Sequence, residues 1–333
     1  MEPSAGSSPA AEPRPRRGQQ CADAVLMIEP RSFGYNPDTA RTNTFQHPGK
    51  DSAGPAEAAA ARAQALAEFG RLRQALESEG VEVCAVSDTA DPVKPDAVFP
   101  NNWLSFHEDG TLVLYPMESA TRRPERRQEV IDAVIARLNF EVAHLLDLTH
   151  FEGEGLFLEG TGSLVLDHAE RVAYACASPR THPALVAEWA RELDYQPLVF
   201  AAADRAGVPL YHTNVLMCIG ERVAVVGTEA IAAGDRQRVL ERLRASGRET
   251  LEIGQQQIAQ FAGNMLELGT WDEALGDSRV LVMSDAARRS LSGEQYARLS
   301  GCTDALLAVP IPTIERLGGG SVRCMLAEVF RRP

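Results

Sequence analysis

Gly318-Gly319-Gly320-Ser321-Val322-Arg323-Cys324-Met325 is the stretch on which the reading of this chain turns. Three successive glycines reach backbone angles closed to other residues, so the chain can turn sharply there and pass close to a ligand. Cys324 stands four residues after the last glycine, at the head of an apolar run ending at Phe330. A thiol on a tight loop that enters a regular element is placed as a nucleophile would be. Arg323 beside it would favour the thiolate, because a nearby cation lowers a thiol pKa. The same letters also describe a glycine turn before a last strand, with Cys324 as a small buried hydrophobe. A base, an orienting acid and a substrate cradle elsewhere in the chain decide between the two.

Working back from that strand, hairpin, helix and strand signals recur. Strands are expected at 22–28, 81–86, 97–106, 111–115, 141–146, 163–166, 171–176, 197–201, 215–219, 222–226, 251–253, 264–268, 279–284, 305–310 and 324–330. Helices are expected at 56–79, 126–138, 182–193, 235–245 and 293–299. Leu66, Phe69, Leu72 and Leu76 form the apolar stripe of the first helix, and Gly80 stops it. The unit repeats about every fifty to sixty residues, roughly five times, which suggests an array closed on itself. A doubly wound sheet would also alternate helices and strands. It calls for a glycine-rich phosphate loop after the first strand, and none follows Ile28.

The chain has 333 residues, 44% hydrophobic and 24% charged, enough for a large core. A net charge of -13 argues against a nucleic-acid partner and for a small-molecule substrate. No apolar run nears the roughly 20 residues that span a bilayer. Six scattered cysteines, with no CxxC pair, argue against zinc or a disulfide framework and for a reducing cytoplasm. Residues 1–20 lack a signal-peptide core and read as a disordered tail, leaving 21–333 as a single domain.

Four further stretches concentrate polar residues in apolar surroundings: Pro95-Asp96-Ala97-Val98-Phe99-Pro100-Asn101-Asn102-Trp103; Phe157-Leu158-Glu159-Gly160-Thr161-Gly162-Ser163; Tyr211-His212-Thr213-Asn214-Val215; and the arginine sites Arg122-Arg123 and Arg180. Each has a structural reading when taken singly: a turn carboxylate, an edge histidine, a turn pair of asparagines, a solvated helix face. Their order is more specific. VFPNNWLSFH, LYPM, FLEGTGSLVLD, YHTNVLMCIG, FAGNML and GGGSVRCM together resemble the guanidino-modifying superfamily of arginine deiminases, dimethylarginine hydrolases and amidinotransferases. Within it they are most similar to bacterial citrulline-utilisation hydrolases. The resemblance runs from about Ala24 to Phe330.

It implies a pentein α/β fold, a β/α-propeller of five pseudo-repeated ββαβ-type blades around a central active-site pore. It also implies roles. Cys324 matches the nucleophile, His212 the general acid and base, and Glu159 the carboxylate that orients the histidine. Asp96, Asn101, Asn102 and Asn214 match substrate-binding positions. Arg122 or Arg123, with Arg180, match the pair that clamps a substrate carboxylate. No metal or organic cofactor is implied, the partner is a small amino acid, and a homo-oligomer is allowed.

Two positions depart from the deiminase pattern, where carboxylates grip a cationic guanidinium: here they hold Asn102 and Asn214. A carboxamide offers both a donor and an acceptor, which suits a neutral ureido group. The expected reaction is therefore hydrolysis of citrulline to ornithine, carbon dioxide and ammonia. An arginine deiminase and an amidinotransferase are the alternatives. The superfamily's non-catalytic members, which bind an RNA-containing subunit, lack the Cys-His-Glu set.

Overall fold

A computed structural model describes residues 19–48, 54–272 and 276–330. Its strands fall into five sets of three with one pairing rule. β1 (Ala24–Glu29) pairs in parallel with β2 (Glu82–Ser87). β3 (Leu104–Phe106) pairs antiparallel with β4 (Thr111–Leu114), which pairs in parallel with β5 (His144–Asp147). β6 (Leu164–Asp167), β7 (Val172–Cys176) and β8 (Gln196–Phe200) repeat that order. So do β9 (Met217–Ile219), β10 (Val223–Val226) and β11 (Glu249–Glu252). So do β12 (Leu266–Asp272), β13 (Gly276–Ser284) and β14 (Ala305–Val309). β15 (Ala327–Val329) completes the first set by pairing antiparallel with β1. It also pairs with β3, so two sets merge into one six-stranded sheet, and the other three sets stand as separate sheets.

Burial grades across each set. The antiparallel first strands β3, β6 and β9 are buried throughout, and β10 (VAVV) and β7 (VAYAC) beside them are equally buried. Buried on both faces, these strands read as continuous apolar runs rather than as alternating ones. The outer strands β5 and β11 are largely exposed. Trp103, Tyr115 and Trp189 fill the core with their polar atoms satisfied where needed: the Trp189 indole donates to the Tyr115 hydroxyl at 2.9 Å.

The helix Pro55–Ser78 buries Ala61, Ala65, Phe69, Leu72 and Leu76. The expected stripe is shifted at one end: Leu66 is 43% exposed and Ala65 takes its place in the core. Glu68 on that helix is buried for another reason. Its carboxylate accepts from Thr313 N and Ile314 N, satisfying the first amides of the helix Pro312–Gly318. That helix delivers the chain to Gly319, whose φ of 62° is left-handed. A Cβ there would lie 2.6 Å from Asn43 Nδ2, so glycine is required on both counts.

Most expected elements occur within a few residues of their expected bounds. Two differ in kind. Residues 97–102 do not extend the third strand but form a turn and the 3-10 segment Pro100–Asn102. Cys324 does not open a strand; it lies in the 3-10 segment Val322–Met325 ahead of β15. Of the expected tail, 1–18 lie outside the described residues. Gln20, at its end, is buried and donates to the carbonyls of Leu166 and Ile219. Gln20 is thus packed into the folded domain. Among the described residues, no helix is long and apolar enough to cross a membrane.

Candidate active site

Four of the five first strands are entered through a short turn that holds candidate residues, and the fifth, β12, through a turn ending in Asn264. Pro100–Asn102 precedes β3, Gly160–Ser163 precedes β6, and Thr213–Val215 precedes β9. The turn closed by Asn264 N donating to Phe261 O precedes β12, and Val322–Met325 precedes β15. Residues from Asn101 to Met325 thus meet at one end of the strands although the sequence scatters them.

One small cavity there, about 10 Å³, has a lining that includes Asp96, Asn102, Arg122, Arg180, His212 and Cys324. Thr39, Asn43 and Gln46 cover it from the 29–48 loop. Asn43 and Gln46 donate to the carbonyls of Gly319 and Gly318, and the Tyr211 hydroxyl also donates to Gly319 O. That loop, which holds no candidate residue from the sequence, is part of the site.

His212 Nε2 lies 2.8 Å from Glu159 Oε2. Burial alone would raise the Glu159 carboxyl, but Arg180, with Nη1 3.5 Å away, and the bond to His212 bring it down to about 2. An ionised carboxylate only accepts, so Nε2 carries the hydrogen and Nδ1 has a free lone pair. Burial lowers the His212 pKa to about 4 against the pull of Glu159. Burial thus favours a neutral ring in the unliganded site. A Cβ on Gly162 would lie 2.5 Å from Asn102 Nδ2 and 2.7 Å from His212 Nδ1. Only glycine lets the backbone pass between those two groups.

Burial likewise raises the Cys324 thiol. The expected help from Arg323 is small, because its guanidinium turns away to Leu326 O at 2.8 Å and Glu328 Oε2 at 2.7 Å. Two carboxamides touch the sulfur instead: Asn264 Nδ2 at 3.3 Å and Asn214 Nδ2 at 3.5 Å. Asn264 was missed at the level of residues. It sits in FAGNML, one of the motifs that carry the resemblance, but an asparagine before a strand looks like an ordinary turn residue.

Arg122 is committed to the protein. It grips Glu125 with two bonds of 2.9 and 2.8 Å, and donates to Asn102 Oδ1 at 2.7 Å and to the carbonyls of Asp96 and Phe99. Arg180 donates to Thr42 Oγ1 and Thr39 O. Asp96 Oδ2 accepts from Asn36 and Thr39 at 2.8 and 2.9 Å, while its buried Oδ1 has no partner. Two expected residues lie apart. Arg123 points away, paired with Glu152 at 3.2 Å. Asn101 faces Thr161 and Asn102 behind the cavity wall.

A model of the family described as N,N dimethylarginine dimethylhydrolase, eukaryotic, matches residues 29–331. No curated protein matches the chain. Among solved structures, the chain is similar to ArgZ, an arginine dihydrolase from the ornithine–ammonia cycle in Cyanobacteria. The TM-score is 0.70 at 17% identity, covering 93% of this chain and 41% of that one. The chain thus spans about two fifths of full-length ArgZ. Against the N-terminal domain of ArgZ bound to substrate, the TM-score is 0.69 at 17% identity, covering 93% and 98%. A dimethylarginine dimethylaminohydrolase carrying an S-methyl-L-thiocitrulline adduct gives 0.61 at 15%, covering 92% and 99%. These likenesses agree in fold, and the family match runs nearly end to end: the chain belongs to the dimethylarginine dimethylhydrolase family, within the guanidino-modifying pentein superfamily.

Proposed function

We propose that this enzyme hydrolyses the ureido group of citrulline, giving ornithine, carbon dioxide and ammonia. The observation that carries the reading is the pair of carboxamides, Asn102 and Asn214, at the two positions where the deiminase pattern has carboxylates. Asn102 Oδ1 is taken by Arg122, its NH2 donates to Asn101 Oδ1 at 3.2 Å and lies near His212 Nδ1, and Asn214 lies against the sulfur. An N–H donor there suits a carbonyl oxygen, whereas a guanidinium offers only donors.

Cys324 is the nucleophile. Its proton passes to the lone pair of His212 Nδ1 as the thiolate attacks the ureido carbon. The imidazolium then protonates the departing amine of ornithine, leaving a thiocarbamoyl enzyme. Neutral His212 next takes a proton from water, which attacks the same carbon. The carbamate released decomposes to carbon dioxide and ammonia. Glu159 holds the ring in the required tautomer and stabilises its charged form. Arg180 and the open donor of Arg122 bind the substrate carboxylate.

In this reading the five three-stranded sets are the blades of a single propeller domain, closed around a central pore. The six free cysteines support a reducing, cytoplasmic setting.

A second reading rests on Asp96. A buried carboxylate oxygen without a partner would pair well with a cationic guanidinium, as arginine or a methylated arginine would supply. Ammonia release from citrulline, arginine, agmatine and methylated arginines separates the two. Citrulline as the best substrate, with no turnover by Cys324→Ser, is the expected result. Efficient arginine turnover with citrulline untouched would overturn it.

A further inference from the structure

We propose that Asn264 is a sulfur-stabilising residue of this site, its side-chain amide donating to Cys324 Sγ and, with Asn214, supplying stabilisation where the neighbouring cation Arg323 gives only small help. The proposal rests on the assignment of Cys324 as nucleophile.

Four of the five turns that enter the first strands already have a part: Asn102, the Glu159–Gly162 segment, His212–Asn214 and Cys324. The fifth ends in Asn264, which is fully buried. Both hydrogens of its amide are placed. One points to Asn214 O at 2.9 Å and the other to the sulfur at 3.3 Å. Its Oδ1 accepts from Arg323 N at 3.0 Å, which fixes the amide so that the NH2 cannot turn away. Asn214, from a different strand set, brings a second donor to the same sulfur.

The charged and titratable groups around the sulfur do not replace them. Arg323 is turned onto Glu328, and Arg122 onto Glu125. Arg180 reaches Glu159 and Thr39. Asp96 would oppose a negative sulfur, the un-ionised Tyr211 hydroxyl is turned to Gly319 O, and His212 is uncharged until it takes the thiol proton. A thiolate buried without donors would be costly. Amide N–H groups aimed at an ionised acceptor are the stronger kind of hydrogen bond. They also add no positive charge beside the reacting carbon, which suits a neutral ureido group better than a cationic cradle would.

The test is alkylation of Cys324 by iodoacetamide in the full chain, followed by mass spectrometry of its peptide from pH 6 to 10. Resolution by peptide is needed because Cys302 is partly exposed. In Asn264→Ala the inflection should rise by about one pH unit, so the rate near neutral pH falls about tenfold while the high-pH ceiling stays. Asn264→Asp keeps the acceptor for Arg323 N but sets an oxygen against the sulfur, and should shift the inflection further. Profiles matching wild type, or an equal slowing at every pH, would overturn the proposal. If Asn264→Ala does not fold, the Asn264→Asp profile decides. No substrate is involved, so a failed citrulline assignment leaves this measurement standing.

Discussion

Arg122 Nη1 donates to Asn102 Oδ1 at 2.7 Å, and this bond fixes which end of the Asn102 amide faces His212. Asp at 102 would keep the bond to Arg122 and become an ion pair, with its second oxygen where the NH2 now stands. That oxygen accepts from a guanidinium and repels a ureido carbonyl. Asn102→Asp should therefore lower kcat/KM for citrulline by about tenfold or more, the cost of one misplaced polar contact. It should raise arginine turnover relative to citrulline. Adding Asn214→Asp should move the ratio further, and steady-state kinetics on both substrates checks it.

Gly162→Ala tests the packing of the same two groups. The added methyl would meet Asn102 Nδ2 at 2.5 Å and His212 Nδ1 at 2.7 Å, too close for either to stay in place. Because φ at Gly162 is not left-handed, the backbone itself tolerates alanine. The expected outcome is a melting temperature within a few degrees of wild type and kcat reduced by about a hundredfold or more, since catalytic groups displaced by about 1 Å lose that much. Unchanged kcat would mean that His212 Nδ1 is not the working nitrogen.

The sequence carried the repeat because the buried strands of each set are short apolar runs set off by turn residues, as in Val223–Val226 and Val172–Cys176. It pointed to Cys324 as the proposed nucleophile because three glycines precede it on a tight turn. Arg123 was indistinguishable from Arg122 by spacing, since the 3-10 turn Ala120–Glu125 decides which of two neighbours points inward. Asn264 and the Thr39–Gln46 loop were hidden because their partners lie 59 and more than 270 residues away, as in Asn264 with Arg323 N and Gln46 with Gly318 O. The state of His212 and Cys324 was also out of reach, because desolvation depends on what the fold stacks above them.

Glu68 links stability to the catalytic loop. Glu68→Ala would leave Thr313 N and Ile314 N buried without acceptors, at about 1–3 kcal/mol for each such group. Chemical denaturation should show a loss of about 2–4 kcal/mol. Glu68→Gln keeps an acceptor and should lose clearly less. Activity should fall with Glu68→Ala at temperatures below its melting point, because the helix Pro312–Gly318 sets the entry to Gly319.

Acid should unfold the protein through its buried histidines before it protonates Glu159. His212 and His107 are both held down to about 4 by burial, and His168 is lowered by the same cause. A histidine near 6.5 when unfolded takes up its proton there, while the folded ring does not until about pH 4. The unfolded chain thus binds more protons between those values, and stability falls as pH drops, by up to about 1.4 kcal/mol per pH unit for each ring. Glu159 acts in the same direction lower down: its pKa of about 2 is below the ordinary 4.5, so its contribution is lost between those two values. The carboxyls of Glu125, Asp96, Glu315 and Glu328 are raised by burial and act in the opposite sense over part of this range, so the rings are tested by comparison with a variant. In urea midpoints measured from pH 7.5 to 4, His168→Asn, remote from the cavity, should lose less stability on acidification than wild type, by about one proton's worth of slope. A pH dependence identical to wild type would show that this ring is not held neutral by the fold.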